Sequence, residues 1–319
     1  MIFTRLSHRR SPALLALASA FVLGACAGSP PASTPMPTPA PAPPPALEEG
    51  VDFVVYTADG RPATVDDIVA AMVDHDAVFV GEEHNDPVTH RVQALLLQRA
   101  FLDHAATRPV VLSLEMFERD VQYIVDEYLD DLITESHFRS SARPWDNYEV
   151  DYRPMVEFAK AHELEVVAAN APRRYVNRAS RLGRDSLRVL GPDATRHLPP
   201  LPYPEASPDY QAEWDALMGE AAAHMRGSPL DGQTLWDASM GHAVASALNR
   251  SAGALVLHMA GGFHVENATG TPEALQHYRP GSRSLVVAAR PAADPSVWDA
   301  ERLQGLGDFV VVTLAPTEG

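Results

Sequence analysis

The chain has 319 residues, 46% of them hydrophobic, with 25 Lys plus Arg against 42 Asp plus Glu and a formal charge of −17. That length suffices for one large core with appendages, and the acidic surplus excludes a nucleic-acid partner held through phosphate contacts. A single cysteine excludes an intramolecular disulfide framework and any cysteine-based zinc site.

At the N-terminus, Arg5, Arg9 and Arg10 form a basic region, Ala13 to Leu23 an apolar stretch too short to span a bilayer, and Leu23-Gly24-Ala25-Cys26 follows. Residues 1–25 therefore read as a signal peptide. The junction resembles a bacterial lipobox, which implies that Cys26 is the lipidated first residue of the mature protein. Ala27 and Gly28 supply no aspartate to retain it at an inner membrane, so the expected location is the outer membrane, facing the periplasm or the surface. Residues 26–46 carry the lipidated cysteine and then a Pro/Ala-rich tether. From Ser29 to Ala46, at about 3.1 Å per residue, the tether reaches roughly 50 Å. The folded domain is expected over residues 47–319.

Val51 to Tyr56 alternates as an edge strand or hairpin arm, Asp59-Gly60 is a turn signal, and Val65 to Val73 suits a short helix. Val78-Phe79-Val80 then makes a buried strand that stops at Gly81-Glu82-Glu83-His84. Asp86-Pro87 caps the next helix, with Val88, Val92, Leu95, Leu96 and Leu102 at helical spacing. Pro109 to Glu115 is a second strand closed by a carboxylate, followed by a helix carrying Val121, Ile124, Val125, Tyr128 and Leu132. A helix over Met155 to His162 leads to a third strand, Val166 to Ala169, ending at Asn170. Residues from about 181 to 249 change texture, with Pro199, Pro200, Pro202 and Pro204 and then helical patterning through Trp214, His224, Trp236 and Val244. They read as a helical insertion capping the sheet. Strand texture resumes at Ala254 to Met259 and runs into Ala260-Gly261-Gly262-Phe263-His264. Thr271-Pro272 opens a helix, and Ser284 to Ala288 and Phe309 to Leu314 read as the final strands. Strand and helix alternate with crossover-length connections, which predicts an α/β fold with a mostly parallel sheet flanked by helices. Right-handed crossovers place the strand ends along one edge, where ligands bind in such sheets.

Glu82, His84, Glu115 and His264 are thereby expected at one cleft, with residue types that serve metal ligation or general acid–base work. The spacing is not His-Glu-x-x-His, since His90 lies six residues past His84. Gly261-Gly262 lacks the lysine of a P-loop and the spacing of a dinucleotide fingerprint, and is better read as room for His264 to approach. Arg173-Arg174-Tyr175 follows the third strand. One reading has a phenolate facing the cleft with guanidiniums beside it that suit ligand carboxylates; the other is a surface helix start with a half-buried tyrosine. Trp236, Met240 and His242 read as core with a polar neighbour. No Gly-x-Ser-x-Gly elbow is present, and the only cysteine sits at the anchor, so nothing supports a serine or cysteine triad.

Six segments, in order, resemble the ChaN-like haem-binding lipoprotein family of the Tiki and TraB superfamily, which shares a Gly-Glu-x-His signature. They are Gly81 to His84, Leu114-Glu115-Met116-Phe117, Trp145 to Pro154, Asn170-Ala171-Pro172-Arg173, Trp236 to Met240 and Ala260 to His264. The resemblance runs from about Ala77 to Pro272. It implies a parallel α/β core with a small helical subdomain, iron-linked expression, and ferric haem shared between two protomers with tyrosine on the iron. Carried to this chain, the iron ligand is Tyr175, or else Tyr148, with Arg173, Arg174, His84 and His264 around the haem. The implied role is binding for iron uptake, without chemistry, in a homodimer whose further partner is an outer-membrane haem receptor. The wider superfamily implies an alternative, a divalent-metal-dependent peptidase or esterase-like hydrolase using Glu82, His84, Glu115 and His264. A scaffold whose old active site is vestigial is a third reading.

Overall fold

A computed structural model describes residues 47–219 and 226–315. Cys26, the tether and His224 lie outside them. Among the described residues, eight strands form one sheet: β1 (Phe53–Thr57), β2 (Pro62–Ala63), β3 (Ala77–Glu82), β4 (Val110–Glu118), β5 (Glu165–Asn170), β6 (Leu255–Gly261), β7 (Ser284–Ala292) and β8 (Phe309–Leu314). Their order is β2-β1-β8-β7-β3-β6-β4-β5. The six strands from β8 to β5 run parallel, and β1 joins β8 antiparallel with β2 hairpinned outside it. The expected parallel sheet is present, with an antiparallel pair added at one edge.

The central strands are apolar on both faces because helices cover both. Val78, Val80, Leu112, Leu114, Leu257 and Met259 pack on one side, against helices that include α1 (Val65–Ala71), α2 (Pro87–His104), α3 (Gln122–Leu129), α4 (Glu135–Ala142), α5 (Tyr148–Asp151) and α6 (Arg153–Ala161). Phe79, Val111, Val167 and Val256 face the other side. That side is covered after α7 (Arg173–Leu182), α8 (Pro192–Thr195) and α9 (Pro208–Met218) by α10 (Pro229–Arg250) and α11 (Thr271–Tyr278). Met240, Ala243, Val244, Ala247 and Leu248 of α10 belong to this core. The described part of the region expected as an insertion carries the end of α7, then α8, α9 and α10, and α10 forms part of the sheet's covering layer.

Two local features place the strand ends. Asp86 caps α2 as its spacing predicts, accepting from Val88 N at 2.9 Å with Pro87 in the first turn. It is buried and also accepts from Thr89 and Thr313, which ties the start of α2 to β8. On β4, pairing with β5 jumps from Leu114↔Ala168 to Glu118↔Asn170, so β4 takes four steps where β5 takes two. Such a bulge re-aims side chains at a sheet rim, and Glu115 sits in it.

Candidate functional site

The C-terminal ends of β3, β4, β5 and β6 open on a cleft of about 900 Å³. Glu82, His84, Glu115, Asn170 and His264 all line it, so the convergence expected from separate segments is met. Three of the chain's four tryptophans, Trp145, Trp214 and Trp236, line it as well, together with Phe263 and Leu217. The cleft therefore offers flat apolar walls around a charged floor.

The floor has two imidazole–carboxylate systems. In the first, Glu82 is buried and accepts from His84 Nδ1 at 2.9 Å, Tyr152 Oη at 2.7 Å and Gln93 Nε2 at 2.8 Å. His90 Nε2 stands 3.4 Å from it and His90 Nδ1 3.1 Å from Asp151. Burial opposes ionisation of Glu82, but hydrogen bonds from His84, His90 and Tyr152 and the charge of His90 outweigh it and hold its carboxyl down at about 2. The hydrogen bond to Glu82 raises His84, against its partial burial, with help from the charge of Glu115. His84 keeps 48% of its side chain exposed and stacks edge-on against Trp145 at 4.9 Å. Its Nδ1 is committed to Glu82, and no described residue hydrogen-bonds Nε2.

In the second system, buried His264 joins Asp237 Oδ1 through Nδ1 at 2.8 Å, while Nε2 lies 3.6 Å from Glu115 Oε1. Asp237 also accepts from Thr271 at 3.0 Å and from Tyr210. Burial disfavours the imidazolium, yet the charges of Asp237 and Glu115 and the Asp237 hydrogen bond raise His264 to about 9. Glu115 Oε2 in turn accepts from Gly261 N at 2.8 Å. A Cβ on Gly261 would fall 2.9 Å from His84 Cε1, and one on Gly262 would meet Glu266 and Arg290 within 2.8 Å. The two glycines thus make room for His84 and Glu115 and for the Glu266–Arg290 pair, not for His264 as expected.

Charge at the rim is balanced by Arg290, which pairs with Glu266 and reaches Glu83 at 3.3 Å. Arg173 also lines the cleft. Arg174 does not: it pairs with Asp120 at 2.6 Å and lies over the ring of Tyr175. Tyr175 is half-buried against the helical cluster around Val176, Leu187 and Leu198. Tyr148 is buried among Phe117 and Phe138, and burial pushes its phenol up. It lines a neighbouring hollow of about 630 Å³, beyond Trp145 and Asp146, which border both spaces. Neither tyrosine lines the main cleft.

Several members of the floor escaped the sequence reading. His90 and Gln93, three residues apart on α2, form a polar stripe that points at Glu82 at the strand end. Asp237 stands four residues after Gln233 on α10, and both reach His264. Trp236, expected in the core, lines the cleft, whereas Met240 is core and His242 faces Arg119. Arg290 lies on β7 beyond Ala288, where the strand was expected to stop. Among the described residues no group of three His, Cys, Asp or Glu side chains is placed to hold a metal ion.

Residues 68–275 match the family described as haem-binding uptake, Tiki superfamily, ChaN. The chain belongs to this family. Among solved structures the fold resembles that of ChaN of Campylobacter jejuni, reported with cofacial haem binding, at 15% identity and a TM-score of 0.63, over 85% of this chain and 100% of that one. The type III effector HopBA1 matches at 15% identity and a TM-score of 0.42, over 79% and 94%. The toxin effector domain RRSP of Vibrio vulnificus matches at 16% identity and a TM-score of 0.36, over 64% and 31%. A search of curated proteins gives no match. Membership in the ChaN family thus agrees with the parallel α/β sheet and with a haem-associated uptake role.

Proposed function

We propose that this ChaN-family protein holds ferric haem in the cleft at the C-terminal edge of the sheet, with His84 Nε2 on the iron. One observation carries the reading: a cleft walled by Trp145, Trp214 and Trp236 holds an imidazole whose other nitrogen is fixed by a buried carboxylate. Metal-ligating histidines characteristically have their second nitrogen oriented in this way, and the aromatic walls suit a flat macrocycle. Arg173 and Arg290 are the cations at the cleft that a propionate would meet. Haem supplies the iron, and the protein's own residues orient it and screen it from water. Tyr175 and Tyr148 are less suited as ligands, because reaching the cleft would require each to leave its packed cluster.

Titration of ferric haem into the chain from Leu47 onward tests this. The expected result is a saturable Soret shift at micromolar haem, lost in His84→Ala and retained in Tyr175→Phe and Tyr148→Phe. Absence of a shift would sink haem binding, and loss of the spectrum in either tyrosine variant would move the ligand to that residue. A change in sedimentation on adding haem would report a shared-haem homodimer. We place the domain on a lipid anchor at Cys26, and Cys26→Ala should release it from the outer-membrane fraction. No described helix is long and apolar enough to cross a membrane.

A further inference from the structure

Beside the open edge of β5 lies another, smaller hollow of about 370 Å³, bordered by Val167 and Ala168 of that strand, by Arg119, Arg196, Arg250 and Gln122, and by the carboxylates Glu165 and Asp126. Gln122 already closes the strand edge, donating to Val166 O at 2.8 Å and accepting from Ala168 N at 2.7 Å. The cations are unusual in a chain this acidic. Arg250 pairs with Glu165, but no described carboxylate lies within ion-pair distance of Arg119 or Arg196. The one hydrogen bond of the Arg119 guanidinium is to His242 Nδ1 at 2.9 Å, and that of Arg196 is to His197 Nε2 at 3.0 Å.

Both histidines must be neutral to accept these bonds, which agrees with their environment. Burial and then the charge of Arg119 press His242 down to about 4, and burial followed by Arg196 lowers His197. Nearby, the hydroxyl of Tyr278 is buried without a partner, and Tyr278 packs edge-on against His242 at 5.0 Å. The half-buried Arg119 guanidinium thus has donors, besides the one on His242, that only solvent or an anion can meet, and Arg196 adds an exposed cation beside the same hollow. Burial accordingly lowers Arg119 itself to about 10.

We propose that this hollow binds a small oxyanion, a phosphate or carboxylate group, clamped by Arg119 and Arg196 and separate from the haem cleft. Guanidinium forks suit such groups through paired, charge-assisted hydrogen bonds. The volume admits a small metabolite and excludes a macrocycle or a folded partner.

The test is thermal unfolding of the full chain against increasing inorganic phosphate, and separately succinate, with sodium chloride at matched ionic strength as reference. One or both anions should raise the melting temperature saturably, and which one does so distinguishes the two sources. Arg119→Gln and Arg196→Gln should each weaken half-saturation by about tenfold or more, with the haem Soret titration unchanged. If Arg119→Gln does not fold, Arg196→Gln decides. A wild-type shift no larger than that with chloride would overturn the proposal, as would unchanged half-saturation in Arg196→Gln.

Discussion

Glu82→Gln is the sharpest probe of the cleft floor. The carboxylate accepts from His84 and Tyr152 on one oxygen and from Gln93, with His90 alongside, on the other. An amide has one acceptor oxygen, so its NH₂ must confront donors on one side. The folded-state value near 2, against 4.5 for an ordinary glutamate, corresponds to about 3 kcal/mol of stability at neutral pH. Because the folded pKa is depressed, that stability is present above pH 4.5 and is lost as the pH falls toward 2. Linkage puts the loss at about 1 kcal/mol by pH 4 and about 2 kcal/mol by pH 3. Urea denaturation should therefore find Glu82→Gln less stable than wild type by about 3 kcal/mol at pH 7, with the gap shrinking to about 1 kcal/mol at pH 3. A gap of the same size at both pH values would refute the ionised, donor-saturated Glu82.

Asp237→Asn tests the opposite wing: His264 is raised from 6.5 to about 9, so its contribution is complete below pH 6.5 and lost as pH rises through 9. Wild type should lose about 3 kcal/mol across that window, and a variant whose urea midpoint falls as steeply would remove the claim. Gly261→Ala, whose Cβ would press on His84 at 2.9 Å, should cost about 1–3 kcal/mol and weaken haem binding. Gly191→Ala, with open space around it, should stay within about 0.5 kcal/mol of wild type. Trp236→Ala should lower haem affinity in a Soret titration while leaving the Soret position unchanged, because it removes wall and not ligand; a shifted band would contradict that division.

The cleft was legible in the sequence because parallel strands advertise themselves twice, by apolar runs buried on both faces and by the polar residue at which each run ends. Glu82, Glu115, Asn170 and His264 are four such endings, and the shared direction of the strands suffices to bring them together. The supports of those residues were not legible. Tyr152 reaches Glu82 from seventy positions away, and Asp237 supports His264 from a helix whose pattern reads as core. Arg290 was missed for a different reason: β7 continues past Ala288 into less buried residues, where apolar texture no longer marks a strand.

Adjacency to a strand end does not by itself put Tyr175 in the cleft. At 3.6 residues per turn, a side chain two positions along a helix lies roughly 200° around its axis. Arg173 begins α7 at the cleft, so Tyr175 is turned to the far side, into the cluster with Val176 and Leu187. His84 carries no such penalty, since it lies on the loop between β3 and α2 with its ring fixed by Glu82 and Trp145. Helical phase and a fixed second nitrogen are thus the grounds on which His84 is proposed as the iron ligand.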